Sequence, residues 1–383
     1  MIVIADDITG AAEMAGIAHQ HGLSVRLSIA GSLCCDRGAA ERTDVLVIAT
    51  DTRSMTEEEA VNETLRITSQ LSPLTSHLFK KTDSALRGHV VAELSALMQT
   101  TGYQRAIYLP ANPSKGRIIR NGCYYIKEVR GEKSEVREVP IHETAFSYDP
   151  EFPAKTSVLR ERFPDAEAHH ILMPDAETVK DIQHIVAAND DGHTLFAGAA
   201  DLFETYLGVR GKRLEIRDMS ESKNYPLTSH LSPLTSKSTL FLCGSTQSKP
   251  LDLGFPVTPM PIAIYDGSED ITPWLEEAEK LYEQQGSLMI TIPHRHRTGK
   301  EVAIHLREMT ASLIQHLVAK RAPQQLIIEG GASAFATLQH LGWNELEVVC
   351  QIAPGVIKTK APNGTFVIMK PGSYPWGHLT SYL

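Results

Sequence analysis

Short apolar runs of strand length alternate with helix-length stretches along nearly all of the 383 residues, and this alternation constrains the fold more than any other feature. Ile2–Ala5, Val25–Ile29, Val45–Ala49, His77–Lys80, Ala106–Leu109, Ile171–Met173 and Leu195–Ala197 read as strands. Gly10–His21, Thr56–Leu71, Gly88–Thr101 and Ala176–Ala188 read as helices. Val90, Val91, Leu94 and Leu97 fall at helical spacing, and Glu57, Glu58 and Glu59 place negative charge at the positive end of a helix dipole. Strands alternating with helices predict mostly parallel sheets covered on both faces, the α/β class.

The character changes between Asp218 and Ser238, a stretch rich in Ser, Thr, Pro and Asn. Alternation then restarts, with strands at Thr239–Cys243, Ile262–Ile264, Leu288–Ile292 and Leu326–Ile328. Helices are expected at Glu276–Gln285, Val302–Lys320 and Ala334–Leu341, and Glu347–Ile352 and Thr365–Met369 read as a closing pair of strands. A chain of this length outgrows one ordinary core. The expected organisation is two α/β domains, 1–218 and 239–383, joined by a linker at 219–238. Each would carry a mostly parallel sheet flanked by helices. The hexapeptide Leu231–Ser236 repeats Leu71–Ser76, but six residues cannot form a repeating structural unit.

The formal net charge of −9 argues against nucleic acid as the main partner. A small anionic substrate stays compatible, because a local cluster of Lys and Arg outweighs a distant negative background in a screened solvent. Five cysteines without a C-x-x-C spacing read as reduced thiols. The opening Met1–Ala5 is too short for a signal-peptide core, and no apolar run approaches membrane-spanning length, so a cytoplasmic protein without a membrane partner is expected. A homo-oligomer is compatible with the sequence. His294, His296, His169 and His170 lack a carboxylate or Cys partner at ligand spacing, and no metal-ligand set is identifiable.

In open α/β sheets ligands bind where strands end and helices begin. Four polar clusters stand at such places. Asp6-Asp7-Ile8-Thr9-Gly10 follows the first strand; helix capping explains one of its acids, not both. Two adjacent carboxylates can bind hydroxyls, ligate Mg²⁺ or take a proton from an alcohol. Asp51-Thr52-Arg53-Ser54 follows Val45–Thr50 and reads either as a carboxylate-gripping arginine or as a plain cap with a surface arginine. Lys80-Lys81-Thr82-Asp83-Ser84-Ala85-Leu86-Arg87-Gly88 mixes cations, an acid and hydroxyls, as a loop for an anionic polyol would. Pro110–Arg117, continuing to Arg120-Asn121-Gly122, reads as a mobile loop over the site or an ordinary connection.

The second half offers glycines instead: Gly244-Ser245 after Thr239–Cys243, Gly330-Gly331-Ala332-Ser333 after Leu326–Ile328, and Lys370-Pro371-Gly372-Ser373 after the last strand. Glycines between a strand and a helix N-terminus let backbone N–H groups approach phosphate. Gly299-Lys300 is no Walker A loop, no G-x-G-x-x-G occurs, and the protein-kinase loops are missing.

Together these segments resemble the four-carbon acid sugar kinases, which phosphorylate threonate, erythronate or their oxo relatives. The carriers are Ile4–Ala11, Asp51–Ser54, Lys81–Ser84 with Leu86–Gly88, and Pro110–Gly122 in the first half. Gly244-Ser245, Gly330-Gly331 and Lys370–Ser373 carry it in the second. Where members often have an acidic residue and Thr after the paired glycines, this chain has Ala332-Ser333. The resemblance implies a sugar-acid domain followed by an ATP domain, with the reaction in the cleft between. It implies substrate contacts from Asp7, Arg53, Lys81, Thr82, Asp83 and Ser84, with Asp6 and Arg87 in the same motifs. It implies nucleotide contacts from Ser245, Gly330, Gly331, Ala332, Ser333 and Gly372.

The expected reaction is in-line transfer of the ATP γ-phosphoryl to the terminal hydroxyl of a four-carbon sugar acid, with Mg²⁺ bridging the phosphates. Arg53 and Lys81 would hold the carboxylate or neutralise developing charge, and Asp7 or Asp83 would orient and deprotonate the hydroxyl. A sugar-acid dehydrogenase or lyase, and a non-catalytic sensor of sugar acid or nucleotide, are the other readings. The missing dinucleotide fingerprint weighs against the dehydrogenase, and the acid-plus-cation loop at Lys80–Arg87 weighs against the sensor.

Overall fold

The structure, a computed structural model, describes residues 1–29, 43–71, 77–130, 135–149, 152–215, 238–244, 251–293, 299–372 and 374–382, with backbone alone at 129, 130, 135 and 210–215. Its strands in chain order are β1 (Ile2–Ala5), β2 (Val25–Ile29), β3 (Val45–Ala49), β4 (Leu78–Lys81), β5 (Arg105–Leu109), β6 (Arg117–Arg120), β7 (Cys123–Arg130), β8 (Glu135–Pro140) and β9 (Ile171–Leu172). There follow β10 (Thr194–Gly198), β11 (Thr239–Cys243), β12 (Val257–Pro259), β13 (Ser287–Thr291), β14 (Gln325–Glu329), β15 (Glu345–Ala353), β16 (Val356–Lys360) and β17 (Phe366–Lys370).

Two compact units result: Met1–Ala18 with Asp44–Lys223, and His19–Thr43 with Asn224–Leu383. The segment 19–43 thus goes with the second unit. The linker expected at 219–238 lies outside the described residues, Ser238 excepted.

In the first unit the strands run β3-β1-β4-β10-β5-β9, all parallel. Every residue of β1, β4 and β10 is buried, as parallel strands covered on both faces require. Helices α1 (Ile8–Gln20), α2 (Glu57–Leu71) and α3 (Val90–Thr101) follow β1, β3 and β4. Phe79, Phe196, Phe203 and Tyr206 form an aromatic core, with Phe79 and Phe203 rings 4.9 Å apart. Burying one such ring stabilises the fold by about 1.5–3 kcal/mol.

A second, antiparallel sheet of β6, β7 and β8 belongs to this unit. It corrects the expectation of a loop over Pro110–Gly122. Pro113–Lys115 is a 3₁₀ turn, and β6 turns into β7 at Asn121-Gly122. Both turn residues have positive φ, 52° and 71°, which an Asn-Gly hairpin accommodates.

In the second unit the order is β12-β13-β11-β14-β17-β16-β15-β2. The first five strands are parallel and the last three pair antiparallel. Two expectations fail here. Ile262–Ile264 is one turn of helix, Ile262–Tyr265, and the strand lies just upstream at Val257–Pro259. A three-residue apolar run carries no period to tell helix from strand, and Pro259 fits only because β12 is an edge. The closing pair is a set of three, because Pro354-Gly355 turns the chain into β16.

Candidate active site

Ligands of open parallel sheets bind beyond the carboxyl ends of the strands, where strand order reverses. In the first unit that point is β1, flanked by β3 and β4. The chain leaves these three strands through Asp6-Asp7, Thr50–Ser54 and Thr82–Gly88, so three of the four polar clusters come together.

Arg53 is the hub. Its Nε and Nη2 donate to Asp6 Oδ2 and Oδ1 at 3.0 and 2.8 Å, a bidentate pair. Nη2 also donates to Asp7 Oδ1 at 3.0 Å, and Nη1 lies 3.8 Å from Asp83 Oδ1. Arg87 grips Asp83 from the other side, with Nε and Nη2 at 2.8 and 2.9 Å from its two oxygens. Arg87 Nη1 lies 3.5 Å from Asp149. Asp83 also accepts the Ala85 N–H at 2.9 Å. Asp7 Oδ1 accepts the Gly10 N–H at 2.9 Å, whereas Asp7 Oδ2 accepts no hydrogen bond from a described residue. Gly88, at φ 94°, would put a Cβ 3.2 Å from Asp6 Oδ2, so glycine keeps that carboxylate in place.

These pairings set the charges. Burial alone would favour a neutral Asp83, yet Arg53, Arg87 and Lys81 hold its carboxyl far below the ordinary carboxylate range. Burial likewise opposes the charge on Arg53, but Asp6, Asp7 and Asp83 hold its pKa well above the usual value. Asp83 is therefore a fixed anion and a poor proton acceptor. Asp7 differs from it in having one oxygen without a hydrogen bond from a described residue.

A buried layer supports the site, and most of it was not read from the sequence. Lys80 and Glu93 are buried and pair with each other. Glu93 Oε2 accepts from Thr52 Oγ1 at 3.0 Å, Thr52 Oγ1 shares a 2.8 Å bond with Thr50 Oγ1, and Thr50 Oγ1 donates to the Ala5 carbonyl at 2.9 Å. That chain ties down the residues immediately before Arg53 and Asp6. Lys81 is buried too; its Nζ donates to the Thr82 carbonyl at 2.8 Å and lies 3.8 Å from Glu13. Glu13 also pairs with Lys115. The signal for Glu13 was a carboxylate set among the small residues of α1. Thr82 Oγ1 is buried without a hydrogen-bond partner among the described residues. Ser84 receives Arg117 on its hydroxyl and Tyr124 on its carbonyl. The turn at 112–117 is pinned by Asp201, which accepts from Ser114 N and Oγ at 2.8 and 2.6 Å.

The second unit reverses its strand order between β11 and β14. Gly244 follows β11, and Gly330, at φ 108°, caps the helix α10 (Gly331–His340) after β14; the intervening helices are α4 (Leu159–Arg162), α5 (Val179–Asn189), α6 (Ala200–Glu215), α7 (Ile262–Tyr265), α8 (Thr272–Gln285) and α9 (Lys300–Lys320). A Cβ on Gly244 would lie 2.2 Å from Ser333 Oγ and 2.8 Å from the Glu329 carbonyl, so no larger residue fits. The first N–H groups of α10, at Gly331, Ala332 and Ser333, have no partner within the helix and point at its open end. Beside them Lys370 and Glu329 form a buried pair at 2.8 Å. Lys370 Nζ also donates to the carbonyls of Pro371, Gly372 and Tyr374 at 2.9, 3.0 and 2.7 Å. It thereby shapes the loop that carries Gly372. Ser245 and Ser373 lie outside the described residues. Among the described residues no group of three or more His, Cys, Asp or Glu side chains could hold a metal ion, and no helix is long and apolar enough to cross a membrane.

Comparison with known proteins bears on both halves. Residues 1–168 match the sugar-binding N-terminal domain model, and residues 260–374 match the nucleotide-binding C-terminal domain model. A D-threonate kinase of Salmonella typhimurium is 32% identical over 42% of this chain and 35% of its own length, so the chain aligns to about a third of that relative. A 3-oxo-tetronate kinase of Actinobacillus succinogenes is 24% identical over 97% of this chain and 96% of its own. A solved Haemophilus influenzae protein superposes with a TM-score of 0.67 at 20% identity, covering 100% of this chain and 98% of that one, which shows a shared fold.

The chain is thus matched in order by the models of a sugar-binding and a nucleotide-binding domain. It belongs to the four-carbon acid sugar kinase family.

Proposed function

We propose that this chain is an ATP-dependent kinase that phosphorylates the terminal hydroxyl of a four-carbon sugar acid. The observation that carries the proposal is the convergence of Asp6, Asp7, Arg53, Asp83 and Arg87 at the strand-order reversal of the first unit. Relatives named D-threonate kinase and 3-oxo-tetronate kinase support a sugar-acid kinase. The glycine-lined helix N-terminus of the second unit supports a nucleotide phosphate as its ligand.

In this mechanism the sugar's terminal hydroxyl approaches Asp7. Asp7 Oδ2 takes the hydroxyl proton, the oxygen bonds to the γ-phosphorus, and the bond to the β–γ bridging oxygen breaks to release ADP. Arg53 and Lys81 neutralise charge near the acceptor. Asp83 stays ionised and holds Arg53 and Arg87 in position. Thr82 Oγ1, buried and without a partner among the described residues, supplies a hydrogen bond to the sugar. Gly331, Ala332 and Ser333 donate N–H groups to the nucleotide; the Gly330 N–H is held by the Lys370 carbonyl at 2.9 Å, so Gly330 serves through its conformation, and Ser245 and Gly372 are further candidate contacts. Mg²⁺ bound with the nucleotide would supply charge neutralisation at its phosphates. Catalysis is then chiefly positioning and electrostatics.

The test is ADP release from ATP against threonate, erythronate and oxo-tetronate stereoisomers. Turnover with one of them is expected. No ADP from any of them, with sugar acid still bound, would favour a sensor over an enzyme.

A further inference from the structure

A sugar acid brings a carboxylate, and a carboxylate that leaves water needs a cation whose charge is not already balanced. Most cations near the first unit's strand ends fail that condition. Arg53 faces Asp6, Asp7 and Asp83. Arg87 faces Asp83 and Asp149. Lys81 and Lys115 share Glu13. On the antiparallel sheet, Arg120 pairs with Glu138 and Glu177, and Lys127 lies 3.7 Å from Glu138.

Near these strand ends, two arginines remain without a carboxylate partner among the described residues. Arg162 donates to the Leu86 carbonyl at 3.3 Å and overlies the Phe163 ring at 5.9 Å. Leu86 sits at φ 64°, a conformation that a branched side chain resists, so Arg162 is a tie that holds this turn. Arg117 is different. It opens β6, is half-buried, donates to the hydroxyl of Ser84 and lies 5.6 Å over the face of Phe146. Ser84 is directly joined to Asp83, and its carbonyl is held by the buried Tyr124. The guanidinium is therefore oriented by a ring and a hydroxyl, beside the acid cluster, with its charge unmatched.

We infer that Arg117 is the anchor for the substrate's carboxylate, and so the residue by which this site selects an acid over a neutral polyol. The inference rests on the sugar-acid reading above and assigns the carboxylate to Arg117 instead of Arg53 or Lys81. The guanidinium fork matches a carboxylate in bidentate fashion, and an ammonium does not. The antiparallel sheet, in this light, is the element that brings a specificity residue to a site built by the parallel one.

The experiment is calorimetric binding to the full chain of threonate and erythronate, and of the neutral tetritols threitol and erythritol, for the native protein, Arg117→Met and Arg117→Lys. Arg117→Met is expected to weaken the acid that binds by about ten- to a hundredfold and to leave ATP and the neutral tetritols within about twofold. Arg117→Lys is expected to recover part of the loss. Thermal melting reports whether each variant folds; if Arg117→Met does not, Arg117→Lys alone decides, with a severalfold loss expected for the acid only. Equal loss for acid and tetritol, native acid affinity in a folded variant, or no acid binding by the native protein overturns the inference. ADP release in parallel separates the two ideas. Acid binding that depends on Arg117 without ADP formation keeps the anchor and ends the kinase reading. ADP formation with an unchanged KM for the acid in Arg117→Met does the reverse.

Discussion

The two units present opposite chemistry at the same topological place. At the reversal of the first unit charged side chains dominate, and the carboxylates and guanidinium groups hold one another. At the reversal of the second, the features are glycines and backbone N–H groups, and a buried ion pair, Glu329 with Lys370, shapes a loop. A polyol varies in hydroxyl geometry and must be read by side chains of many types. A phosphate is a symmetric anion that any row of N–H groups satisfies. The contrast teaches that one sheet geometry becomes a reader of shape or a reader of charge according to what is placed at its strand ends.

The largest expected effect breaks the first unit. Arg53→Ala leaves Asp6, buried and gripped by Arg53 alone among the cations found on it, without its counter-charge. Removing one partner of a buried ion pair costs about 3–5 kcal/mol, which a urea titration reads. Loss of a preorganised charge at the acceptor lowers kcat/KM for the sugar acid by about a thousandfold. Arg53→Lys is expected to rescue little, because an ammonium cannot make the bidentate pair. Activity near the native level in Arg53→Ala would remove the hub from the mechanism.

Next in size is the matching change in the second unit. Gly244→Ala drives a methyl group into Ser333 and the Glu329 carbonyl. The start of α10 must shift, and the KM for ATP is expected to rise about tenfold, the equivalent of about 1.4 kcal/mol. The KM for the sugar acid should stay level. A rise in the sugar-acid KM instead would exchange the roles of the two units.

How much of this was legible in the sequence follows from the same contrast. Parallel strands are buried on both faces, so β1, β3, β11 and β14 show as plain apolar runs, and the clusters after them stood out. Asp7, Arg53, Gly244 and Gly330 are legible that way, whereas Asp83 follows β4, whose Lys80 and Lys81 break the apolar run. The antiparallel sheet was missed although its signal was present: Asn121-Gly122 sits between Arg117–Arg120 and Cys123–Arg130, the commonest two-residue hairpin chemistry. Taking it for a loop hid Arg117 and Tyr124 as neighbours of Ser84. Glu93 was hidden for another reason. A lone acid on a helix is usually solvated, and only the fold shows that Lys80 and Thr52 meet it inside. The membership of Val25–Ile29 in the second unit had no local signal, because pairing with Glu345–Glu347 is a contact across more than three hundred residues.

The buried chain beneath Arg53 offers a smaller test. Thr52→Val keeps the shape and removes the hydroxyl that Glu93 accepts, at a cost of about 1–3 kcal/mol of stability. Its effect on activity should fall on kcat, by about tenfold, with the KM for ATP unchanged, since Arg53 loses position and not charge. Thr52→Ser, which keeps the hydroxyl, should restore most of it. Equal losses in both variants would mean that packing, and not the hydrogen bond, matters at this position.

The smallest effect is a pH dependence, and it separates the two carboxylates offered as proton acceptor. The folded protein holds the Asp83 pKa far below its unfolded value of about 3.9, so its ion pairs contribute stability above that pH and lose it as pH falls below. The stability gap between the native protein and Asp83→Asn should therefore be constant from about pH 5 upward and narrow below about pH 4. Activity should show no acid limb belonging to Asp83 at ordinary pH, because it is already fully ionised there. An Asp83→Asn variant that moved an apparent pKa of kcat within the range of about pH 5 to 9 would make Asp83 the proton acceptor after all, and would demand that substrate binding first strip Arg87 from it.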